Sequence, residues 1–545
     1  MPHRLPHLLL MILLIAVVAD LYLTIKPAFI VAFVSCAGLI LFFQNIQGAA
    51  ARPMVLRALV STIGMPVLAW ALPNVWLLYF AMLIWVPLVA ARTALVAPVY
   101  LYSLLLLPGL DSTAAVGSIK LFEFGVHDAL ALGAAAALAV KSAKGRPRLA
   151  LDFSVVALML MLSVALARDT SITNVMRVAV NVGLDLGLPY YVVSRGIRTM
   201  EEFRAALLWL SCGAVTLSSI LVYEAWKSWP IYNELYNQYA LPTLLLVKSR
   251  GGLLRSGGPF VEPTSAAMVL SMCVLAVWLS RDYFRSQWRY LLVMAAVLAG
   301  LAAPQSRGAW IGLATAYVAA TLFRRRYAQL AQSAVVVGTV IVLLMFAAQS
   351  SPFVSELVGL SGNSSETSDY RRLLLSRGME EFWRSPISGY SMPRLADVLS
   401  DLRQGEGIID FVNTYIWIML ISGAAGLGIF LGTFLFFLGR LMRLRKPVPE
   451  LPGSVIAATF AFAGLVMPLE MLFFTSFGGR PAFFVFALFG FAAALLTIRD
   501  RHIRQRRSEQ NVSSRPDDGA LGLAAIGPAE QTSAHHASHN ARCAS

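Results

Sequence analysis

The sequence predicts an all-α polytopic membrane protein, and three observations lead to this prediction. Hydrophobic residues make up 58% of the 545-residue chain and charged residues only 13%, whereas a soluble domain carries about 25% charged residues. The mean hydropathy is +0.69. Apolar runs long enough to cross a hydrocarbon core of roughly 30 Å recur along the chain. We therefore expect about 14 to 16 transmembrane helices and a large extracytoplasmic loop with short surface helices.

The apolar runs define the predicted spans. They lie at residues 7–24, 27–44, 55–72, 74–91, 93–108, 121–140, 150–167, 172–193, 204–223, 263–280, 288–304, 307–323, 331–349, 411–438, 454–475 and 480–498. The first run follows His3 and Arg4, and no small-residue cleavage site closes it. We interpret it as a first transmembrane helix or an uncleaved anchor.

The basic residues indicate how the chain is oriented. The formal net charge is +15, but nucleic acid is not the expected partner, because most cations lie in short loops where the positive-inside rule places them. If the N-terminus is cytoplasmic and the spans alternate in direction, the loops rich in Lys and Arg all lie on the cytoplasmic side, together with both termini. These loops contain Arg52 and Arg57, residues 141–148, 194–198, 280–289, 324–326 and 439–446, and the basic tail. The two remaining long loops, about 224–262 and 350–410, are then extracytoplasmic.

This topology divides the chain into five regions. They are N-terminal transmembrane helices at 1–240, transmembrane helices with two motifs at 241–349, the large outer loop at 350–410, C-terminal transmembrane helices at 411–500 and a cytoplasmic tail at 501–545. The tail is rich in Ser, Ala, Gly, Pro and His, so we expect it to be disordered.

Several arginines lie on the predicted outer side, against the positive-inside bias. The stretch "YRRLLLSRGMEEFW" predicts a helix with two faces, one carrying Leu374, Gly378 and Glu381 and the other carrying Arg371 and Leu375. Such a helix would lie along the outer membrane surface. Its arginines either snorkel to lipid headgroups or present a guanidinium to a particular phosphate. The pattern alone leaves both interpretations open.

Four stretches occur in an order that resembles a known family. They are "LLRSGGPFVEPTSAAMVL" (253–270), "APQSRGAWIGL" (303–313), "YRRLLLSRGMEEFWRSPISGY" (370–390) and "FVNTYIWIMLISGAAGLGIF" (411–430). Together they are similar to the O-antigen polymerase and ligase family, which includes exopolysaccharide polymerases. The resemblance covers about 180 residues and implies a GT-C-like membrane fold. It does not visibly cover residues 1–240.

The resemblance implies glycosyl transfer at the outer face of a bacterial inner membrane. The donor would be a glycan linked to a polyprenyl diphosphate such as undecaprenyl diphosphate, and the acceptor a growing glycan. Ligases of this family carry an Arg-x3-Leu motif, matched here by Arg371 and Leu375. They also carry a His eleven residues before a Gly, and here the Gly is Gly423 but the His position is Val412. Since valine cannot accept a proton, the polymerase branch fits better, and transfer to a lipid or other acceptor by a ligase is the alternative.

The resemblance and the charges together suggest site residues. Negative charge builds on the departing diphosphate, so fixed cations there lower the barrier; we assign this role to Arg371, Arg307 and Arg255. Arg372, which neighbours Arg371, is a further predicted substrate-binding residue, as are Asn413 and Tyr415, which keep the rest of the ligase motif His-Asn-Thr-Tyr. Tyr415 could equally be an interfacial anchor. With several guanidinium groups and no DxD motif in the outer loops, we expect no metal and no other cofactor.

The attacking sugar hydroxyl must also lose its proton. Glu262, in "GPFVEPT", is the predicted base, with Asp369 and Asp410 in reserve. Alternatively, Glu262 only begins a helix before Pro263, where a carboxylate favours the helix dipole. The "SRG" motif has a structural interpretation too, with Ser306 as an N-cap and Gly308 allowing close helix packing.

Two other classes of protein remain open at this point. A flippase or exporter of lipid-linked oligosaccharide would show internal repeats and charges midway along helices, and we find no convincing repeat. A scaffold subunit of an export complex would tolerate loss of the outer arginines. Membrane lipids are expected partners in every case, and a polymerase would also work with a chain-length regulator and export proteins.

Overall fold

Helices make up nearly all regular structure in the computed structural model, which describes residues 5–117, 119–141, 151–241, 247–351, 355, 364–403, 409–446, 451–477 and 480–513. The first ten helices are α1 (Leu5–Asn45), α2 (Gly48–Ala51), α3 (Val55–Ala71), α4 (Val75–Ala90), α5 (Val96–Ser103), α6 (Val126–Lys141), α7 (Asp152–Ala167), α8 (Ile172–Val182), α9 (Leu188–Gly196) and α10 (Met200–Lys227). The next ten are α11 (Asn233–Gln238), α12 (Pro263–Leu279), α13 (Gln287–Ala302), α14 (Arg307–Phe323), α15 (Tyr327–Ser350), α16 (Ser364–Arg384), α17 (Met392–Val398), α18 (Thr414–Met442), α19 (Ser454–Met471) and α20 (Arg480–Ser513).

The prediction of an all-α membrane protein is confirmed at this level. Six segments of the described helices are long and apolar enough to cross a membrane: Thr24–Asn45, Met200–Lys227, Tyr327–Ser350, Thr414–Met442, Ser454–Met471 and Pro481–Ser508. Shorter apolar helices, such as α3, α4, α7 and α12, accompany them. The predicted total of about 14 to 16 spans stays a prediction.

The helices follow the apolar windows closely, with a few differences. Windows 7–24 and 27–44 form the single helix α1, which passes through Pro27 without a turn. Window 93–108 is helical only briefly, in α5, and window 172–193 is divided into α8 and α9 by a π-helical turn at Gly183–Gly187, which contains Asp185. Hydropathy does not encode the backbone geometry of these interruptions.

Two short β-hairpins interrupt the helical pattern. Strand β1 (Ser112–Val116) pairs with β2 (Ile119–Phe124), and β3 (Ser249–Arg250) pairs with β4 (Leu253–Leu254), both antiparallel. The first hairpin occupies the start of the predicted window 121–140, so α6 begins only at Val126. Val, Ile and Phe in this stretch favour strand over helix.

Hydrogen bonds join the connecting segments at two ends of the helix bundle. At one end, Arg285 N donates to Asn45 O (3.0 Å) and Arg445 Nε donates to Phe323 O (2.7 Å). We call this the basic end; it comprises residues 45–54, 280–289, 324–326 and 440–446. The other, which we call the site end, comprises the described parts of 104–125, 168–171, 228–262, 303–306, 364–413 and 472–477. The predicted basic loop 141–148 lies, apart from Lys141, outside the described residues.

The helix predicted for the stretch "YRRLLLSRGMEEFW" is present as α16, and its position on the outer membrane surface stays a prediction. Leu374 and Glu381 are 0% and 1% exposed, and Gly378 is buried, whereas Leu375 on the other face is 50% exposed. A Cβ on Gly378 would lie 2.7 Å from Ile416 Cγ2. The buried face of α16 therefore packs on α18.

The chain end differs from its prediction. Helix α20 continues to Ser513, beyond residue 501, where the tail was expected to begin. Arg, which is frequent in residues 499–507, is a good helix former. The rest of the predicted tail, 514–545, lies outside the described residues.

Candidate functional site

The β3–β4 hairpin brings two of the predicted motifs together. Arg255 Nε donates to Pro304 O (3.1 Å), and Ser256 N donates to Ala303 O (3.3 Å). Arg250 Nη1 donates to Gln305 O (2.8 Å). Because residues 303–306 form the turn between α13 and α14, these bonds hold the Arg255 segment against the start of the helix that carries Arg307.

The side chains near this turn concentrate positive charge. Burial lowers the pKa of the Arg255 guanidinium, the positive charges of Arg250 and Arg307 lower it further, and the Glu262 carboxylate acts in the opposite direction. We call Arg250, Arg255 and Arg307 the arginine cluster. The Arg255 guanidinium therefore interacts electrostatically with two other guanidinium groups and one carboxylate. This excess of positive charge favours an anionic ligand.

A buried carboxylate that the sequence analysis did not single out shapes the same segment. Glu224, near the end of α10, is 1% exposed. It accepts hydrogen bonds from Ser256 Oγ (2.8 Å), Gly258 N (2.7 Å) and Ile231 N (3.1 Å). It therefore fixes the backbone that presents Arg255. The predicted span ended at residue 223 and left Glu224 in the outer loop, whereas the helix continues to Lys227. The available signal was therefore an acidic residue at the edge of a span.

Glu262, the predicted base, is the N-cap of α12. Its Oε2 accepts from Ser265 N (2.6 Å), and its Oε1 lies 3.8 Å from Lys248 Nζ. The alternative interpretation of this residue, a carboxylate at a helix start, therefore describes its contacts. The side chain is 42% exposed, so a substrate hydroxyl can reach it, and its role as a base stays a prediction.

Arg371 lies half-buried on α16. Its Nη2 is 3.5 Å from Phe474 O, and its guanidinium carbon is 5.7 Å from the centre of the Phe474 ring. Its Nε is buried and has no hydrogen-bond partner in the described part of the chain. Burial lowers the pKa of Arg371, and the Asp410 carboxylate partly offsets this. A buried donor that lacks a partner is costly unless a ligand satisfies it.

The predicted motifs meet at a loop that the sequence analysis missed. This loop, residues 472–477, is called the Phe474 loop here. Besides its contact with Arg371, it accepts two hydrogen bonds from Thr414. Thr414 N donates to Leu472 O (2.9 Å), and Thr414 Oγ1 donates to Thr475 O (2.7 Å). A Cβ on Gly308 of the SRG motif would lie 3.4 Å from Phe474 Cβ. The SRG, outer-loop and Asn413–Tyr415 motifs therefore converge on one segment.

Asn413 and Tyr415 make structural contacts. Asn413 Oδ1 caps α18 by accepting from Tyr415 N (3.0 Å) and Ile416 N (3.2 Å). The Tyr415 hydroxyl donates to Leu469 O, and its ring centre is 4.3 Å from that of Phe473. Asn413 thus caps the start of α18, and Tyr415 holds α18 against α19 and the Phe474 loop. A role for either residue in orienting a sugar stays a prediction.

Arg372 and Asp369 lie away from these contacts. Their side chains are 82% and 71% exposed, and Arg372 Nη1 is 3.9 Å from Asp369 Oδ1. An exposed ion pair at that distance contributes little to the stability of the fold. Asp410, the other reserve base, is closer to the site, since its charge affects Arg371.

The backbone conformation of Gly423 explains why the second motif position of the family, eleven residues after Val412, is a glycine. Helix α18 is broken there, with φ 66° and ψ −167°, a conformation essentially restricted to glycine. The segment before Tyr390 docks into the break: Ala424 N donates to Pro386 O (2.8 Å), and Tyr390 N donates to Leu420 O (2.6 Å). The break joins the outer loop to a membrane-spanning helix.

Glu470 is a second carboxylate that the sequence analysis missed. Both its carboxylate oxygens are buried without a hydrogen-bond partner in the described part of the chain. It lies one turn before Phe474, and a Cβ on Gly312 of α14 would be 3.1 Å from its Oε2. A carboxyl in this position calls for a functional explanation.

Within the described residues, no three His, Cys, Asp or Glu side chains come together as metal ligands would. Comparisons of the sequence with models of known families and with curated proteins gave no match.

Proposed function

We propose that this chain is a GT-C-like glycosyltransferase that polymerises repeat units of an exopolysaccharide or O-antigen. It would take a glycan from polyprenyl diphosphate at the periplasmic face of a bacterial inner membrane, with the basic end and both termini in the cytoplasm. The observation that carries this proposal is the excess of guanidinium groups at the site end: the arginine cluster, which includes Arg307 of the SRG motif, and Arg371 beside the Phe474 loop.

The charges support a specific mechanism. As the bond from the anomeric carbon to the diphosphate breaks, negative charge develops on the departing oxygen, and cations already in place stabilise it. Arginine suits this role because it stays charged and binds phosphate oxygens through two N–H groups. We assign diphosphate binding to Arg255, Arg307 and Arg371, and removal of the acceptor proton to Glu262.

An apolar groove beside the arginine cluster supports a lipid-linked donor. It has a volume of about 700 Å³ and lies among α12, α13, α14 and α15. Leu301 and Ala302, which line one end, directly precede the turn that Arg255 contacts, and Trp310 lines it one turn after Arg307. A polyprenyl chain in this groove would leave its diphosphate beside the cluster.

Two alternatives remain. A ligase is less favoured because Val412 replaces histidine. Transport of a lipid-linked oligosaccharide has one observation in its favour, the break of α18 at Gly423, because discontinuous helices line the substrate sites of many transporters.

The test is to incubate the purified chain with a lipid-diphosphate repeat unit and to analyse the products by gel. A ladder of lengths is expected. A single transfer to another lipid would indicate a ligase. Absence of product, with lipid-linked glycan moving across the membrane of a proteoliposome, would replace the proposal with transport.

A further inference from the structure

A polar cavity at the site end has no role in the mechanism described so far. Its volume is about 590 Å³, and it lies between the end of α7, the second half of α16 and α17. Its wall includes Arg168, Arg377, Glu381, Arg384, Tyr390 and Arg394. Ligand sites commonly have volumes of about 300–1,000 Å³, so the cavity is large enough for a small ligand.

The charges on one wall are paired with one another. Arg384 Nη1 donates to Glu381 Oε1 (2.6 Å), and Arg377 Nε donates to Asp401 Oδ2 (3.0 Å). Glu380 accepts from both arginines, at 2.6 and 2.7 Å. This wall is therefore dense in donors and acceptors without a strong excess of either charge. It differs in this from the arginine cluster, which favours an anion.

The cavity is held in shape by bonds to the broken helix. Arg168 Nη1 donates to Ser388 O (2.8 Å), and its Nη2 is 3.5 Å from Ile421 O, beside the break in α18. The Tyr390 hydroxyl donates to Glu381 Oε2 (3.2 Å). Because a fixed site loses less conformational entropy on binding, such a wall suits recognition.

Two lining side chains remain available to a ligand. The Arg394 guanidinium carbon is 5.4 Å from the centre of the Tyr390 ring, and the residue makes no ion pair with a carboxylate in the described part of the chain. Asp169 is exposed and makes no hydrogen bond or ion pair there either. One offers donors and the other offers acceptors.

We propose that this cavity binds carbohydrate, namely the glycan of the lipid-linked substrate. The inference rests on the proposed function. Sugar hydroxyls both donate and accept hydrogen bonds and carry no charge, which matches a wall of paired guanidinium and carboxylate groups. The position fits as well: Arg377 follows Arg371 by six residues on α16, about 9 Å along the helix axis. A glycan whose diphosphate is at Arg371 reaches the cavity along that helix.

The test measures binding of a defined probe to the full chain in nanodiscs. The probe is the repeat-unit oligosaccharide that mild acid releases from the lipid-linked fraction of cells that make this protein. Calorimetry compares the wild type with Asp169→Asn and Arg394→Gln. We expect each substitution to weaken binding about tenfold, because it replaces a hydrogen bond to a charged group by a weaker bond to a neutral one. Asp397→Asn and Arg403→Gln, which are exposed at the same end but do not line the cavity, should bind like the wild type.

The outcomes separate this inference from the proposed function. Equal binding by the wild type and both cavity variants would overturn the cavity assignment. A wild type that polymerises lipid-linked units but does not bind the probe would also overturn it while leaving the function intact. Binding that depends on the cavity, without transfer of any glycan, would support the carbohydrate site and reject the polymerase. If labelled donor extends the probe, the cavity holds the acceptor; if the probe only inhibits transfer, it holds the donor glycan.

Discussion

At the scale of single residues, Arg371 is the strongest candidate for binding the departing diphosphate. Its buried Nε has no partner in the described part of the chain, and phosphate oxygens would satisfy it. Arg371→Lys keeps a positive charge but loses the bidentate hydrogen bonding of a guanidinium to phosphate oxygens. We expect kcat/KM for polymer formation to fall about a hundredfold, or roughly 2.7 kcal/mol of transition-state stabilisation. If Arg371→Lys made polymer of unchanged length, α16 would not be part of the active site. Arg403→Gln serves as the matched control, and immunoblots of membranes confirm accumulation.

The base is the other question at this scale, because the structure adds Glu470 to Glu262. Glu262→Gln keeps an oxygen that can cap α12 but cannot accept the proton, so we expect kcat to fall by about 10²–10⁴-fold with KM little changed. Glu262→Gln and Glu470→Gln are both assayed with purified lipid-linked repeat unit at saturating concentration. Normal turnover of Glu262→Gln together with a loss in Glu470→Gln would transfer the role to Glu470.

These residues also indicate what local sequence can predict. Glu262 and Asn413 are caps, and a cap depends on its next few neighbours, so the helix-start interpretation of Glu262 followed from "EPT" alone. Glu470 and Phe474 depend on how α14, α16 and α18 pack against the end of α19. No local pattern encodes that packing, so Phe474 was missed. Glu470 did offer a signal, because it is an acidic residue within the predicted span 454–475.

At the scale of elements, the break in α18 is the feature that depends most on one residue. A Cβ at Gly423 would lie 2.1 Å from Ile387 O, and the backbone conformation there is unfavourable for any other residue. We expect Gly423→Ala to lower the free energy of unfolding by at least about 1–3 kcal/mol and to reduce activity by displacing the segment that docks into the break. Thermal unfolding in detergent measures the first effect.

The same helix provides the control for that experiment. A Cβ at Gly428 would contact nothing within 4 Å, so Gly428→Ala should be neutral or stabilise the protein by about 0.5–1 kcal/mol through helix propensity. If Gly423→Ala were as stable and active as Gly428→Ala, the break would have no importance for the site.

Elements were predicted well where hydrophobicity decides them and less well elsewhere. Most apolar windows coincide with helices such as α3, α4 and α7, because a run of apolar residues must be buried or face lipid. The π-helical turn between α8 and α9, and the break in α18, depend on contacts with distant segments. Hydropathy averaged along the chain therefore predicts neither the turn nor the break.

At the scale of the whole molecule, the proposal depends on which end faces outward. The arginine cluster, Arg371 and the carbohydrate cavity lie at the site end, while residues 45–54, 280–289, 324–326 and 440–446 lie at the basic end. The positive-inside rule puts the denser basic loops in the cytoplasm. A donor flipped to the periplasmic face would then reach the site.

Cysteine labelling tests this orientation directly. Ser400→Cys at the site end and Ala49→Cys at the basic end are both exposed positions, each introduced in a chain whose Cys36 and Cys543 are changed to alanine. A charged, membrane-impermeant maleimide should label Ser400→Cys in spheroplasts and Ala49→Cys only after detergent is added, because a charged reagent does not cross the hydrocarbon core. Labelling of Ala49→Cys alone in intact spheroplasts would turn the guanidinium groups toward the cytosol. The diphosphate they are proposed to hold would then be on the wrong side of the membrane for an extracytoplasmic polymerase.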